Sequence, residues 1–180
     1  PLARALGRGI GRLYWPFRSR SRKVTEINIA AAFPTMPAQE QHQLAKQSLL
    51  ATTELFTEMG HVWLKPWDYV AGLITKVNGV ELIESAQAQG RGVILLVPHL
   101  GNWEMIGLHL GTLGQTVSLY QPPKLAGLGP LIERARQSTG ATLVPTNSRG
   151  LAQLLRCVKK GGISAILPDQ APSDLNSGEN

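Results

Sequence analysis

A chain of 180 residues, 43% hydrophobic and 17% charged, has enough material for a domain with a real core and excludes a disordered or fibrous protein. The single cysteine, Cys157, excludes an intrachain disulfide and a cysteine-built metal site. The net charge of +6 is concentrated at one end: residues 1–23 carry seven Lys or Arg and no acid, leaving eleven cations against all 12 acids elsewhere.

Arg4, Arg8 and Arg12 recur every four residues on one helical face, while Leu2, Leu6, Ile10, Leu13 and Phe17 fall on the opposite face. Tyr14 and Trp15 sit near the end. A basic face, an apolar face and interfacial aromatics predict a helix lying in a membrane surface, with the arginines on anionic lipid. A helix packed on its own domain with its arginines in solvent fits the same pattern. A nucleic-acid patch ranks behind both, because no stacking aromatics accompany the arginines elsewhere. Gly7, Gly9 and Gly11 each weaken an isolated helix by about 1 kcal/mol relative to Ala. The organisation read from this is a basic membrane-surface segment over 1–23 and a domain over 24–180.

After the turn at Phe33–Pro34, a long helix is predicted over about 37–63, opened by Pro37 and striped with Leu44, Leu49, Leu55, Phe56 and Met59. Pro66–Trp67 ends it, an extended piece covers about 74–77, and a further helix covers about 80–89. From Gly92 the pattern changes. The run GVILLV, bounded by Gly90 and Pro98, predicts a fully buried strand. Helices at about 103–113, 128–138 and 150–159 then alternate with strands at about 116–120, 141–144 and 163–167. That alternation predicts an α/β fold, a mainly parallel sheet flanked by helices, with a helical region before it. Ligands bind such sheets beyond the carboxyl ends of their strands. No run approaches the roughly 18 apolar residues of a spanning helix, and no secretory signal pattern opens the chain. The start at Pro1 and the polar end PSDLNSGEN read as a piece of a longer chain.

His99 directly follows the first sheet strand, Gly101 and Asn102 make the turn, and Asn102 suits the N-cap of a helix opening at Trp103. Glu104 lies in that helix's first turn. With His99 in the preceding loop, the chain can fold the carboxylate back to the imidazole, fixing one ring nitrogen and freeing the other as a base. The residues alone also allow a hydrogen-bonded structural histidine and a glutamate that favours the helix dipole. Cys157, in LLRCVKK, reads as a buried residue of a helix face. No His/Asp/Glu cluster has metal-ligand spacing, and no dinucleotide or phosphate loop appears, so neither metal nor cofactor is expected.

VPHLGNWE at 97–104 resembles the HxxxxD/E block of glycerolipid acyltransferases, and its Gly-Asn-Trp-Glu filling is similar to that of the lipid A lauroyl/myristoyl acyltransferase family. Further landmarks follow in order: Asn28 with Phe33–Pro34, then Tyr120 with Pro122 and Pro123, Arg134 and Arg136 before Gly140, Lys159–Lys160–Gly161, and Asp169–Gln170. The resemblance implies transfer of a fatty-acyl group from an acyl carrier protein thioester to a hydroxyl of a lipid A precursor, a step of lipopolysaccharide biosynthesis. Its place would be the cytoplasmic face of a bacterial inner membrane, with no nucleic-acid partner. It implies that His99 is the base, that Glu104 orients it, and that Arg136 steadies an oxyanion or a lipid phosphate. Asp169, at a strand's carboxyl end, would pair with Arg136, contact the acceptor sugar, or cap its own loop. Asn102 and Trp103 would shape the histidine loop. Acylation of another glycolipid, an aminolipid or a lysophospholipid shares the whole mechanism, and a non-catalytic membrane-surface module is the alternative of another class.

Overall fold

The computed structural model describes residues 1–123 and 125–169. It contains two compact units, residues 1–61 and residues from 62 onward, and each is described by itself.

The first unit is helical. Helix α1 (Leu2–Tyr14) is followed by α2 (Arg20–Ala32) and by α3 (Ala38–Leu64), whose last residues belong to the second unit. Trp15, Ala45 and Leu49 form its core, with Ile29 packed against them. Ser19 caps α2 by accepting the Arg22 backbone N–H at 3.2 Å. The sequence reading leaves 20–32 without a helix, for a physical reason: α2 buries none of its residues, so it has no apolar stripe to announce it.

Packing of α1 on α3 explains the glycines. A Cβ on Gly7 would stand 2.6 Å from both Glu54 Cα and the Thr53 carbonyl oxygen, and one on Gly11 would collide with Thr53 and Leu50. These two residues let the helices approach closely, and Thr57 Oγ1 crosses the contact to donate to the Ala3 carbonyl at 2.7 Å. Arg8 Nε reaches Glu54 Oε1 at 2.6 Å, and Arg4 Nε reaches Glu58 Oε1 at 3.2 Å. Residues 1–14 are thus bound along α3 within the compact unit of residues 1–61.

The second unit is α/β. In order it comprises α4 (Trp67–Ala71), α5 (Val80–Ala88), β1 (Val93–Leu96), α6 (Trp103–Leu113), β2 (Val117–Tyr120) and a 3₁₀ turn at Ala126–Leu128. Then come α7 (Gly129–Gln137), β3 (Thr142–Pro145), α8 (Ser148–Lys159) and β4 (Ile163–Ile166). Strand β1 pairs in parallel with β4, and β2 in parallel with β3. A parallel bridge from Thr116 to Ile163 joins the two pairs, giving the spatial order β1-β4-β2-β3. Val117, Val144, Leu154 and Cys157 form one core cluster, and Ile83, Leu110 and Ile163 another. Cys157 is buried, and burial pushes its thiol pKa up, as suits an apolar packing residue.

One expectation fails here. Strand β1 is not buried on both faces: Ile94 is 43% and Leu96 71% exposed. The strand lies at the end of the order, and alternate side chains point to opposite faces, so only Val93 and Leu95 join the core.

Candidate active site

The register of β1 and β4 builds the site. Val93 pairs with Ile163 and Leu96 with Ile166, an offset of 70 residues. Carried three residues past the last pair, the same offset sets His99 beside Asp169, both beyond the carboxyl ends of their strands. There the Asp169 carboxylate accepts the His99 backbone N–H at 2.7 Å through Oδ2 and meets ring Nδ1 at 2.9 Å through Oδ1. An ionised carboxylate only accepts, so Nδ1 is the protonated nitrogen of this pair. The His99 contacts hold the Asp169 carboxyl below its ordinary pKa: the ring bond contributes most, then the backbone N–H. The other ring nitrogen, Nε2, has no protein hydrogen-bond partner among the described residues. Gly101, at φ 60°, takes the left-handed turn that carries the chain from His99 into α6.

Asn102 and Trp103 act differently in this loop. Trp103 meets the His99 ring edge-on, with centroids 4.8 Å apart and an interplanar angle of 70°. Asn102 occupies the N-cap position, but its side chain makes no cap bond and its Oδ1 is buried without a partner among the described residues. The expected cap is therefore absent.

Glu104 takes a different partner from the expected one. Its carboxylate, in the first turn of α6 and 3% exposed, receives both arms of a guanidinium fork. Arg136 Nε donates to Oε2 at 3.0 Å and Nη2 to Oε1 at 2.5 Å. The orienting partner of His99 is thus Asp169, while Glu104 holds Arg136. Physical chemistry favours the fork, since a bidentate arginine satisfies a buried carboxylate that one imidazole nitrogen would leave half paired. Both residues also suit their helix ends, the acid opening α6 and the arginine in the last turn of α7. Burial works against the Arg136 charge, yet the bond and charge of Glu104 outweigh it and raise its pKa. The guanidinium lies over the Tyr120 ring, 5.4 Å from its centroid. Burial above all, with the Glu133 charge behind it, pushes the Tyr120 hydroxyl pKa up. That ring was legible in the sequence only as a landmark.

His99, Trp103, Glu104 and Arg136 converge on one cleft of about 210 Å³ whose apolar wall includes Leu119, Leu143 and Leu167. A larger groove of about 900 Å³ runs along the other face of α6 and β1, lined by residues such as Leu73, Val77, Ile83 and Ile106. Its one imidazole, His109, has no carboxylate partner among the described residues. No group of three or more His, Cys, Asp or Glu with metal-binding geometry occurs among the described residues.

An imidazole held at one nitrogen and open at the other, beside a fixed guanidinium and an apolar wall, can deprotonate a hydroxyl and steady a developing anion. The family model for bacterial lipid A biosynthesis acyltransferases matches residues 1–179. The chain belongs to this family. Among curated members, the lipid A biosynthesis lauroyltransferase of Escherichia coli (strain K12) is 26% identical over 169 residues, 94% of this chain and 54% of the relative. The palmitoleoyltransferase of the same organism is 25% identical over 170 residues, 94% of this chain and 55% of its own. A lipid A biosynthesis acyltransferase of Haemophilus influenzae is 25% identical over 152 residues, 84% and 47% of the two chains. This acyltransferase-family chain spans about half the length of the curated relatives it matches. Of the landmarks in its sequence, Gln170 and the residues after it lie outside the described residues.

Proposed function

We propose that the protein transfers a fatty-acyl group from an acyl carrier protein thioester to a hydroxyl of a lipid A precursor, at the cytoplasmic face of a bacterial inner membrane. The observation that carries this reading is the His99–Asp169 clamp, which holds the proton on Nδ1 and leaves Nε2 without a hydrogen-bond partner among the described residues. In the proposed step, Nε2 takes the proton as the acceptor oxygen attacks the thioester carbonyl. The imidazolium is stabilised by the Asp169 carboxylate. The tetrahedral intermediate collapses, the carbon–sulfur bond breaks, and the proton passes from Nε2 to the leaving thiolate. Arg136, with two of its N–H groups bound to Glu104, keeps others for the oxyanion or for an acceptor phosphate. The sequence of the relatives supports the substrate class, since those named for a chain transfer lauroyl and palmitoleoyl groups in lipid A biosynthesis.

The test is direct. The protein is incubated with acyl carrier protein thioesters and a panel of lipid acceptors, and the products are read by mass spectrometry beside the His99→Ala variant. A mass gain of one acyl group on a lipid A precursor, absent with His99→Ala, supports the reading. Acylation of a different lipid alone would move the acceptor, and no transfer to any acceptor would defeat it.

A further inference from the structure

Helix α1 presents two unlike faces. Its glycine edge is pressed on α3, and Arg4 and Arg8 beside it are bound to Glu54 and Glu58. The opposite face is bare: Leu2 is 87%, Leu6 62%, Ile10 46% and Leu13 76% exposed, and Phe17 continues the ridge at 66%. Thirteen helical residues span about 20 Å, so this is a continuous apolar ridge rather than scattered exposed residues. Arg12 on the same helix, and Arg18, Arg20 and Lys23 in the segment that follows it, are exposed, and none has a carboxylate partner among the described residues.

We infer that this ridge is the part of the protein that enters an anionic bilayer surface, and that Arg4 and Arg8 are internal clasps that hold it outward rather than lipid contacts. This deepens the membrane-surface part of the proposed function and rests on it. Lipid is the occupant that the charges select. Two copies meeting ridge to ridge would bring Arg12, Arg18, Arg20 and Lys23 of each against those of the other, with no acid among residues 1–25 to offset them. An anionic headgroup layer offers hydrocarbon to the leucines and phosphate to the cations together. The assignment reverses the reading of the sequence at Arg4 and Arg8 and keeps it at Arg12.

Three variants separate the roles, each measured by co-sedimentation with phosphatidylcholine vesicles containing or lacking phosphatidylglycerol. Leu6→Gln with Leu13→Gln, both exposed and so neutral for folding, lowers affinity for anionic vesicles by about tenfold or more. Joint replacement of Arg12, Arg18, Arg20 and Lys23 by Gln removes the preference for phosphatidylglycerol and its salt dependence, at about fivefold per cation near the surface. Arg4→Gln with Arg8→Gln lowers the melting temperature but leaves binding by the folded fraction within about twofold. Unchanged binding in the leucine variant, or binding lost only in the Arg4/Arg8 variant with its fold intact, overturns the assignment. So does a concentration-dependent dimer, seen by sedimentation velocity, that the leucine variant abolishes without any vesicle binding by wild type. His99→Ala binds vesicles like wild type, so a failed acyl-transfer assay and a failed docking surface are read separately.

Discussion

Each unit of the chain contains an arginine–glutamate fork, and the two forks do opposite work. In the helical unit, Arg8 grips Glu54 through Nε at 2.6 Å and Nη2 at 3.3 Å, but its side chain is more than half exposed and Arg4 crowds the same carboxylate. In the α/β unit, Arg136 grips a Glu104 that is almost wholly buried, and is itself largely covered above Tyr120. Glu54 is itself buried, but a pair whose arginine stands in water is screened on that side and contributes less than a fully covered one. A buried pair is costly to form and costlier to break, because removing one partner strands the other. The first fork aligns two helices and leaves an apolar face outward; the second fixes a cationic group in the wall of the candidate active site.

The largest expected effect falls on the group that neither fork touches. His99→Ala should lower acyl transfer by about 10²–10⁴-fold, the usual worth of a general base, while far-ultraviolet circular dichroism stays unchanged. Asp169→Asn keeps a partner for His99 but lets the amide present its NH₂ to Nδ1, so the ring can settle in the wrong tautomer. A loss of transfer with the fold intact is expected, and nitrogen-15 chemical shifts of the His99 ring should report the tautomer change. Activity retained above about a tenth of wild type in His99→Ala would separate the site from the chemistry.

Next comes the buried fork. Glu104→Gln leaves the shape and removes the charge that answers Arg136, so urea denaturation should show a loss of about 1–3 kcal/mol, below the value for a fully buried pair because Arg136 keeps some exposure. Replacing Arg136 by Met in that background should recover part of the loss, since the stranded cation is then gone. Independent, additive effects of the two changes would show that the fork carries no coupling.

How much of this was legible in the sequence depends on the range of the interaction. The strands beginning at Val93, Val117, Thr142 and Ile163 were readable because each is an apolar run closed by Gly, Pro or a polar turn. The His99 loop and the first turn of α6 were readable for the same local reason. The partner of His99 was not, because it depends on β1 lying beside β4 at an offset of 70, and no local pattern states which strands are neighbours. Hence the sequence alone points to Glu104, close by in the chain, as the partner of His99, and leaves Arg136 and Asp169 with several roles. Gly7 and Gly11 are hidden in the same way: helix-weakening residues by sequence, they are where α1 approaches α3 too closely for a side chain.

The half-exposed fork should show itself in acid. Arg8 holds the Glu54 carboxyl below its ordinary pKa, chiefly through the hydrogen bond, against the opposing effect of burial. A carboxylate whose folded pKa is depressed contributes its stability above the unfolded value, about 4.3, and loses it as pH falls through the folded value. Wild type should therefore melt higher than Glu54→Gln at neutral pH. The difference should close as pH drops below about 4. A gap that persists in strong acid would assign the contribution of Glu54 to packing instead of charge.

The smallest effect tests whether the glycines of α1 are there for contact or for flexibility. A Cβ on Gly9 would meet nothing within 4 Å, unlike one on Gly7 or Gly11. Gly9 sits in the helix interior, where Ala is favoured by roughly 0.5–1 kcal/mol because the unfolded chain has less freedom to lose. Gly9→Ala should therefore raise the melting temperature slightly, whereas Gly7→Ala should lower it by forcing α1 away from Glu54 and Thr53. Opposite signs from one substitution two residues apart would establish that the contact edge, and not the helix as a whole, requires glycine. A loss of stability in both variants would instead show that α1 as a whole, and not one contact edge, requires glycine. Repeating both melts with anionic vesicles present would test the lipid side of the helix separately, because a surface engaging Gly9 would penalise Gly9→Ala only when the lipid is there.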